Sequence, residues 1–311
     1  MAADRNGSRS GSGRELLLPA RATLRDVTLR DGLQAEKTLL PLAQKVSLAR
    51  KVREAGIREM EVTAFVSPER VPAMADAEEL LASLAGESGL ICSALVFNRK
   101  GLDRALRARV AQIAVFVSAS DAQSRSNTGQ GTEEALREAL EVLAAAKREG
   151  VGTRAGVICA FGCTLEGSVP ESRVLDIAAA LHAAGPAEMT LADTAGMGDP
   201  AQVMARVSGC RRIIGDRRLS LHLHNASGWA FANLLAALQV GVEVYDVTVG
   251  GLGGCPFLPG APGNLPADRV VSFLKALGVE PGVDGAPILQ AQKDLERFLG
   301  RTLAPAADTR G

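Results

Sequence analysis

The sequence lacks a charge imbalance: 35 Lys and Arg residues meet 35 Asp and Glu residues over 311 positions, and three histidines add little. Without a basic excess there is no field of the kind that sequence-independent phosphate binding needs, which argues against nucleic acid as a partner. Long apolar runs are missing too. No stretch approaches the roughly 18 consecutive apolar residues of a membrane-spanning helix, and no charged-then-apolar signal opens the chain, so neither a membrane nor export is expected. The cysteines (Cys92, Cys159, Cys163, Cys210 and Cys255) are five, at irregular spacing. An odd number in a long chain does not make a disulfide framework and points to reduced thiols, hence to the cytoplasm.

What is present is a regular alternation. Residues 1–18, rich in Gly, Ser and Arg, carry no apolar periodicity and read as a disordered tail, leaving 19–311 as one domain. From there, short β-branched or aliphatic runs alternate with longer amphipathic stretches. The strands fall near Thr23–Thr28, Glu59–Thr63, Leu90–Val96, Gln112–Val117, Thr153–Cys159, Glu188–Leu191, Leu219–His222 and Glu243–Val249. Between them lie helices such as Thr132–Lys147, which Thr132 can cap and Gly150 can stop. Strict alternation implies a parallel sheet, and eight units at this length favour an α/β fold closed as a (β/α)8 TIM barrel, with an additional C-terminal helix near Ile288–Leu299.

Barrel chemistry is built where strands end, so residues just after strands are the candidates. Thr28-Leu29-Arg30-Asp31-Gly32-Leu33-Gln34 follows the first strand. Its carboxylate could bind a hard cation while Arg30 polarises a substrate oxygen, although the same pair also fits a surface turn with an exposed ion pair. His222 and His224 end the seventh strand. A period of two puts both imidazoles on one face, where they can share a metal or simply be hydrogen-bonded. After the eighth strand comes Gly250-Gly251-Leu252-Gly253-Gly254-Cys255-Pro256, with Asn264 beyond it. Such a loop lets backbone approach a ligand and offers Cys255 as a proton donor or acceptor; a phosphate cradle and a buried inert cysteine are the plainer readings.

Taken together these segments resemble the 3-hydroxy-3-methylglutaryl-CoA lyase family of the DRE-TIM metallolyases over nearly everything after the tail. The resemblance rests on Arg30-Asp31-Gly32-Leu33-Gln34, on Glu61 through Pro68, on Val71-Pro72 and Met74-Ala75-Asp76, on Asp193-Thr194 with Gly196, on the histidine pair, and on the Cys255 loop ending in Asn264. It implies that Asp31, His222, His224 and Asn264 hold a divalent cation, Mg²⁺ or Mn²⁺. It implies further that Arg30 orients an acyl-CoA substrate and stabilises enolate charge, and that Glu61, Asp193, His222 and Cys255 assist proton movement. Arg30 and Gln34 would contact the substrate, and Trp229, where the sequence departs from the family, is a further candidate contact. The implied reaction is a retro-Claisen-type cleavage to acetyl-CoA and a keto acid such as acetoacetate; separately, an apolar outer face on a barrel helix would permit a homodimer.

Two departures bear on the substrate. The segment after the histidines is Asn225-Ala226-Ser227-Gly228-Trp229 where such lyases carry an acidic residue and a Thr-Tyr-Gly-Gln-like stretch, and Ala64 stands where a serine is usual. A changed pocket would suit another 3-hydroxy-3-alkylglutaryl-CoA or a citramalyl-like thioester. Related condensing synthases share the start of the motif series but not the Gly-Gly-Cys-Pro loop. A non-catalytic acyl-CoA-binding barrel is the alternative from outside enzymology. Cys159 and Cys163, four residues apart without a second ligand pair, read as structural.

Overall fold

The computed structural model describes residues 17–226, 228–253 and 263–303. Most of the expected tail, and Cys255, lie outside the described residues. The chain runs β1 (Thr23–Asp26), α1 (Leu42–Glu54), β2 (Glu59–Ala64), α2 (Ala77–Leu84), β3 (Ile91–Leu95), α3 (Arg99–Arg107) and β4 (Gln112–Ser118). It continues through α4 (Asp121–Thr128), α5 (Thr132–Arg148), β5 (Gly152–Ile158), α6 (Glu171–Ala183), β6 (Glu188–Asp193), α7 (Pro200–Ile214) and β7 (Arg218–Leu223). The last elements are α8 (Ala230–Gln239), β8 (Val244–Val247), α9 (Ala267–Ala276) and α10 (Gly285–Leu299). The strands close in sequence order into a barrel, every neighbouring pair parallel. The expected (β/α)8 barrel with an extra C-terminal helix is what forms, and α10 packs against α1. Among the described residues no helix is long and apolar enough to cross a membrane.

The differences from expectation are local and have local causes. Strand β1 stops at Asp26 instead of Thr28 because the chain coils at once into a π-helical turn, Thr28–Gly32. Asp26 enforces that turn: its carboxylate accepts from the Thr28 backbone at 3.0 Å and from the Thr28 hydroxyl at 2.6 Å. Thr132 does not cap α5. It is the first helical residue, its backbone N–H taken by Asp121 Oδ1 at 2.9 Å, and Gly131 occupies the cap position. The short helix α4 was not foreseen; Ser120 caps it, and Gly129 ends it in the left-handed conformation.

Two faces of the strands do different work. Outward residues such as Met60, Val62, Met189, Leu191, Leu219 and Leu221 are buried against the helical ring and form the apolar core. Much of the inside of the barrel is charged. Strand register sets Arg25 level with Glu59 and Asp246, and Glu188 level with Arg154 and Arg218. Arg25 binds Glu59 at 2.8 Å, Glu188 at 2.7 Å and Asp246 at 3.2 Å, while Arg218 reaches Glu59 and Glu188 from the other side. Each buried ion here has several opposite partners, which is the condition under which desolvating such charges is offset. This ionic plug forms the floor beneath the mouth of the barrel.

Candidate active site

The π-helical turn after β1 turns Arg30 and Asp31 into the mouth of the barrel, and the alternation of β7 sends His222 and His224 to the same place. Asp31, His222 and His224 offer ligand atoms that all lie within 4.8 Å of one another, and all three residues are buried. The Nε2 atoms of the two imidazoles are 3.1 Å apart, and Asp31 Oδ2 lies 3.4 Å from that of His224 and 3.9 Å from that of His222.

Hydrogen bonding behind the rings fixes what they present. His224 Nδ1 lies 2.8 Å from the carbonyl oxygen of Thr194, which can only accept, so Nδ1 carries the proton. His222 Nδ1 lies 3.2 Å from Asp246 Oδ2. Burial opposes ionisation of Asp246, but Arg154, His222 and Arg25 outweigh it and hold the carboxyl well below the usual range, so this Nδ1 is also a donor. With Nδ1 of each ring engaged as a donor, each ring turns its Nε2 toward one point beside a carboxylate. A cation at that point satisfies all three, and backing of Nδ1–H by a carbonyl or carboxylate is the usual support for a ligating histidine.

Asn264 strengthens the fit. It is buried, its Nδ2 donates to Asp31 Oδ2 at 2.7 Å and to the Leu252 carbonyl at 3.0 Å, and its Oδ1 has no partner among the described residues. Nδ2 rather than Oδ1 faces Asp31; with the amide turned over, Oδ1 would add an oxygen to the carboxylate and the two imidazoles in a donor set suited to a divalent ion. Gly253 explains how the loop comes so near: its φ is +118°, and a Cβ there would collide with Asn264 Nδ2. Electrostatics agree. Burial opposes ionisation of Asp31, yet Arg30 and the histidines hold its carboxyl well below the usual range. Burial likewise opposes protonation of His224, but Asp31 overrides it and raises the imidazole above its ordinary value, so this point attracts positive charge.

Arg30 stands beside the cluster. Its Nη1 binds Asp31 Oδ1 at 2.5 Å and its Nε donates to Glu61 Oε1. Glu61 is fully buried, and its other oxygen is held by Arg154. Gln34 donates from Nε2 to Asp31 Oδ1 at 2.8 Å. A cavity of about 250 Å³ opens over these groups; Arg30, Asp31, Gln34, His222, His224 and Asp246 line it on one side, with Ala64 in the wall.

Two other expected residues do not line that cavity. Asp193 is buried but out of phase with the inward Glu188, Thr190 and Ala192, and its two oxygens accept from the backbone of Met197 and Gly198, each at 3.0 Å. It braces the loop whose Thr194 carbonyl orients His224. Trp229 is 53% exposed at the start of α8 and is not among the residues lining the cavity. Sequence reasoning missed Asp246, Arg154 and Thr194. A signal existed for the first two: each is a charged residue inside an otherwise apolar strand.

A closed (β/α)8 barrel with these groups gathered at the C-terminal ends of its strands is a barrel enzyme with its reactive centre where such enzymes keep it. Residues 21–295 match the family described as HMGL-like, and the chain belongs to that family. It is 34% identical over 285 residues to hydroxymethylglutaryl-CoA lyase YngG of Bacillus subtilis, covering 92% of this chain and 95% of the relative. To the cytoplasmic 3-hydroxy-3-methylglutaryl-CoA lyase of Rattus norvegicus the identity is 35% over 285 residues, covering 92% and 83%. Among solved structures, an HMG-CoA lyase from Acinetobacter baumannii in complex with coenzyme A and 3-methylmalate superposes with a TM-score of 0.89. The identity is 31%, and 92% of this chain and 93% of that one are covered.

Proposed function

We propose that this carbon–carbon lyase cleaves 3-hydroxy-3-methylglutaryl-CoA, or a thioester bearing another 3-alkyl group, to acetyl-CoA and a keto acid such as acetoacetate. The observation that carries the reading is the convergence of Asp31, His222 and His224 on one point beside Arg30, with Asn264 hydrogen-bonded to Asp31. Similarity to lyases named for that substrate, and to one solved with coenzyme A, supports the substrate class. Those four residues would hold Mg²⁺ or Mn²⁺, which supplies Lewis-acid polarisation of substrate oxygens when bound.

The remaining roles follow from which atoms are already engaged. Arg30 is fixed by Glu61 and Asp31 and lines the cavity, so it sets a positive charge where the departing enolate gathers negative charge. Both Glu61 oxygens are taken by guanidinium groups and both Asp193 oxygens by backbone N–H groups. We therefore assign these two carboxylates to positioning rather than proton transfer. With its Nε2 turned toward the cation point, His222 is held in that orientation by Asp246 at Nδ1. Cys255 remains the proposed donor to the enolate carbon. Gln34 would hold Asp31 and meet substrate at the cavity wall.

The reading includes one barrel domain over 19–311, a cytoplasmic setting supported by four free cysteines among the described residues, and a homodimer for which the 41% exposed Met204 on the outer helix α7 offers apolar surface. Purified protein incubated with Mg²⁺ or Mn²⁺ and 3-hydroxy-3-methylglutaryl-CoA, followed by mass spectrometry beside a Cys255→Ala variant, tests it. Cation-dependent and Cys255-dependent release of acetyl-CoA and acetoacetate is the expected result. Cation binding without turnover on any 3-hydroxyacyl-CoA would instead favour the non-catalytic barrel.

A further inference from the structure

Across the mouth from the cation cluster, the cavity wall carries a polar group that the chemistry above leaves unused. Strand β4 lies half-way round the ring from β8, and α4 directly follows β4. Gln123 sits in the first turn of α4, its backbone N–H donating to the capping Ser120 hydroxyl at 3.1 Å. The side chain is fully buried, and neither Oε1 nor Nε2 has a hydrogen-bond partner among the described residues. Leaving a buried polar group unpaired costs about 1–3 kcal/mol, so native interiors rarely keep one without a use.

The position of this side chain points to a ligand. Gln123 lines the 250 Å³ cavity and also a smaller one of about 60 Å³, and the two share Asn98, Asn127 and Thr128 as well. It stands where the apolar channel, walled by Phe97 and Phe116, gives way to a polar recess. No Lys or Arg lines that recess, and Glu138 does, so an anionic group would meet no counter-charge there. A carboxamide offers a donor and an acceptor side by side and carries no charge. Its complement is a neutral group that also offers both, which is a secondary amide.

We propose that Gln123 recognises a secondary amide of the pantetheine arm of the substrate, Nε2–H donating to the amide carbonyl and Oε1 accepting from the amide N–H. This rests on the reading of the substrate as a coenzyme A thioester. The acyl group is anchored at the cation cluster and the arm leaves the thioester sulfur, so its amides are the polar groups that reach the opposite wall. Gln123 is thus a specificity-determining residue for the thiol half of the substrate.

Two measurements test this. The first compares the 3-hydroxy-3-methylglutaryl thioesters of coenzyme A and of butanethiol, which lacks amides, on wild type, Gln123→Met and Gln123→Glu. The preference for the coenzyme A thioester should shrink about tenfold in both variants, through KM more than kcat. The second is calorimetric binding of free pantetheine, which needs no turnover; the variants should bind about tenfold more weakly, with melting curves showing that they fold. A wild type that cleaves neither thioester but binds pantetheine through Gln123 would sink the assigned reaction and leave this inference standing. Pantetheine binding that is absent in the wild type, or equal in wild type and folded variants, would overturn it.

Discussion

The Nε2 atoms of His222 and His224 face each other at 3.1 Å while both Nδ1 positions are committed, one to Asp246 and one to the Thr194 carbonyl. Two lone pairs and the Asp31 carboxylate at one buried point repel one another until positive charge arrives. Mn²⁺ or Mg²⁺ should therefore stabilise the fold, by about 2.7 kcal/mol at 100 times Kd. Thermal melts with and without cation measure this, and the increment should vanish in Asp31→Asn.

The same point binds protons. His224 is raised above its ordinary value, burial opposing and Asp31 prevailing, and only the neutral ring can ligate. Cation affinity should fall as the pH drops, starting above the pH at which a free imidazole would begin to compete. Calorimetric titration at several pH values should also show proton release on binding; affinity independent of pH would contradict this.

Arg30 is held at Nε by Glu61 and at Nη1 by Asp31, a two-point grip that an ammonium cannot reproduce. Arg30→Lys should lower kcat roughly 100-fold with a smaller change in KM, since the lost interaction develops with the enolate charge. Glu61→Gln should move kcat in the same direction by loosening Arg30. Steady-state kinetics on both variants provide the check.

Arg25 is the pin of the ionic floor, bound to Glu59, Glu188 and Asp246. Arg25→Met would leave carboxylates uncompensated inside the barrel and should cost about 3–5 kcal/mol in denaturant unfolding.

Asp26 gives a pH signature of the fold. Burial pushes its carboxyl up to about 7, against two hydrogen bonds from Thr28. A folded pKa above the unfolded 3.8 means that its contribution is fully present below the unfolded value and lost as the pH rises through about 7. The stability advantage of wild type over Asp26→Asn should accordingly shrink between about pH 4 and pH 7. A constant difference across that window would show that Asp26 does not titrate there.

Strand positions were readable because each barrel strand is a short apolar run between helical patterns, and the histidine pair was readable because a period of two is independent of tertiary context. The turn at Thr28–Gly32 was not, since it depends on Asp26 and Thr28 closing on each other. Asp193 was placed among the proton carriers by the family resemblance; the structure adds that its phase along β6 differs from that of Glu188, Thr190 and Ala192 and that backbone N–H groups hold both its oxygens. Arg154 and Asp246 passed unnoticed because their partners lie 92 positions apart in the chain and meet only once the barrel closes. Trp229 was singled out as a bulky departure at the mouth of the barrel; it stands half exposed at the start of α8, a position its bulk does not encode.

The most direct test strips the protein with a chelator, returns Mn²⁺ in steps, and follows acetyl-CoA and acetoacetate from 3-hydroxy-3-methylglutaryl-CoA, with Asp31→Asn alongside. Product formation should be absent at first, rise until about one ion is bound per chain, and stay absent in the variant. Full turnover in the stripped protein, or normal turnover in Asp31→Asn, would contradict the assignment of this cluster as the catalytic centre.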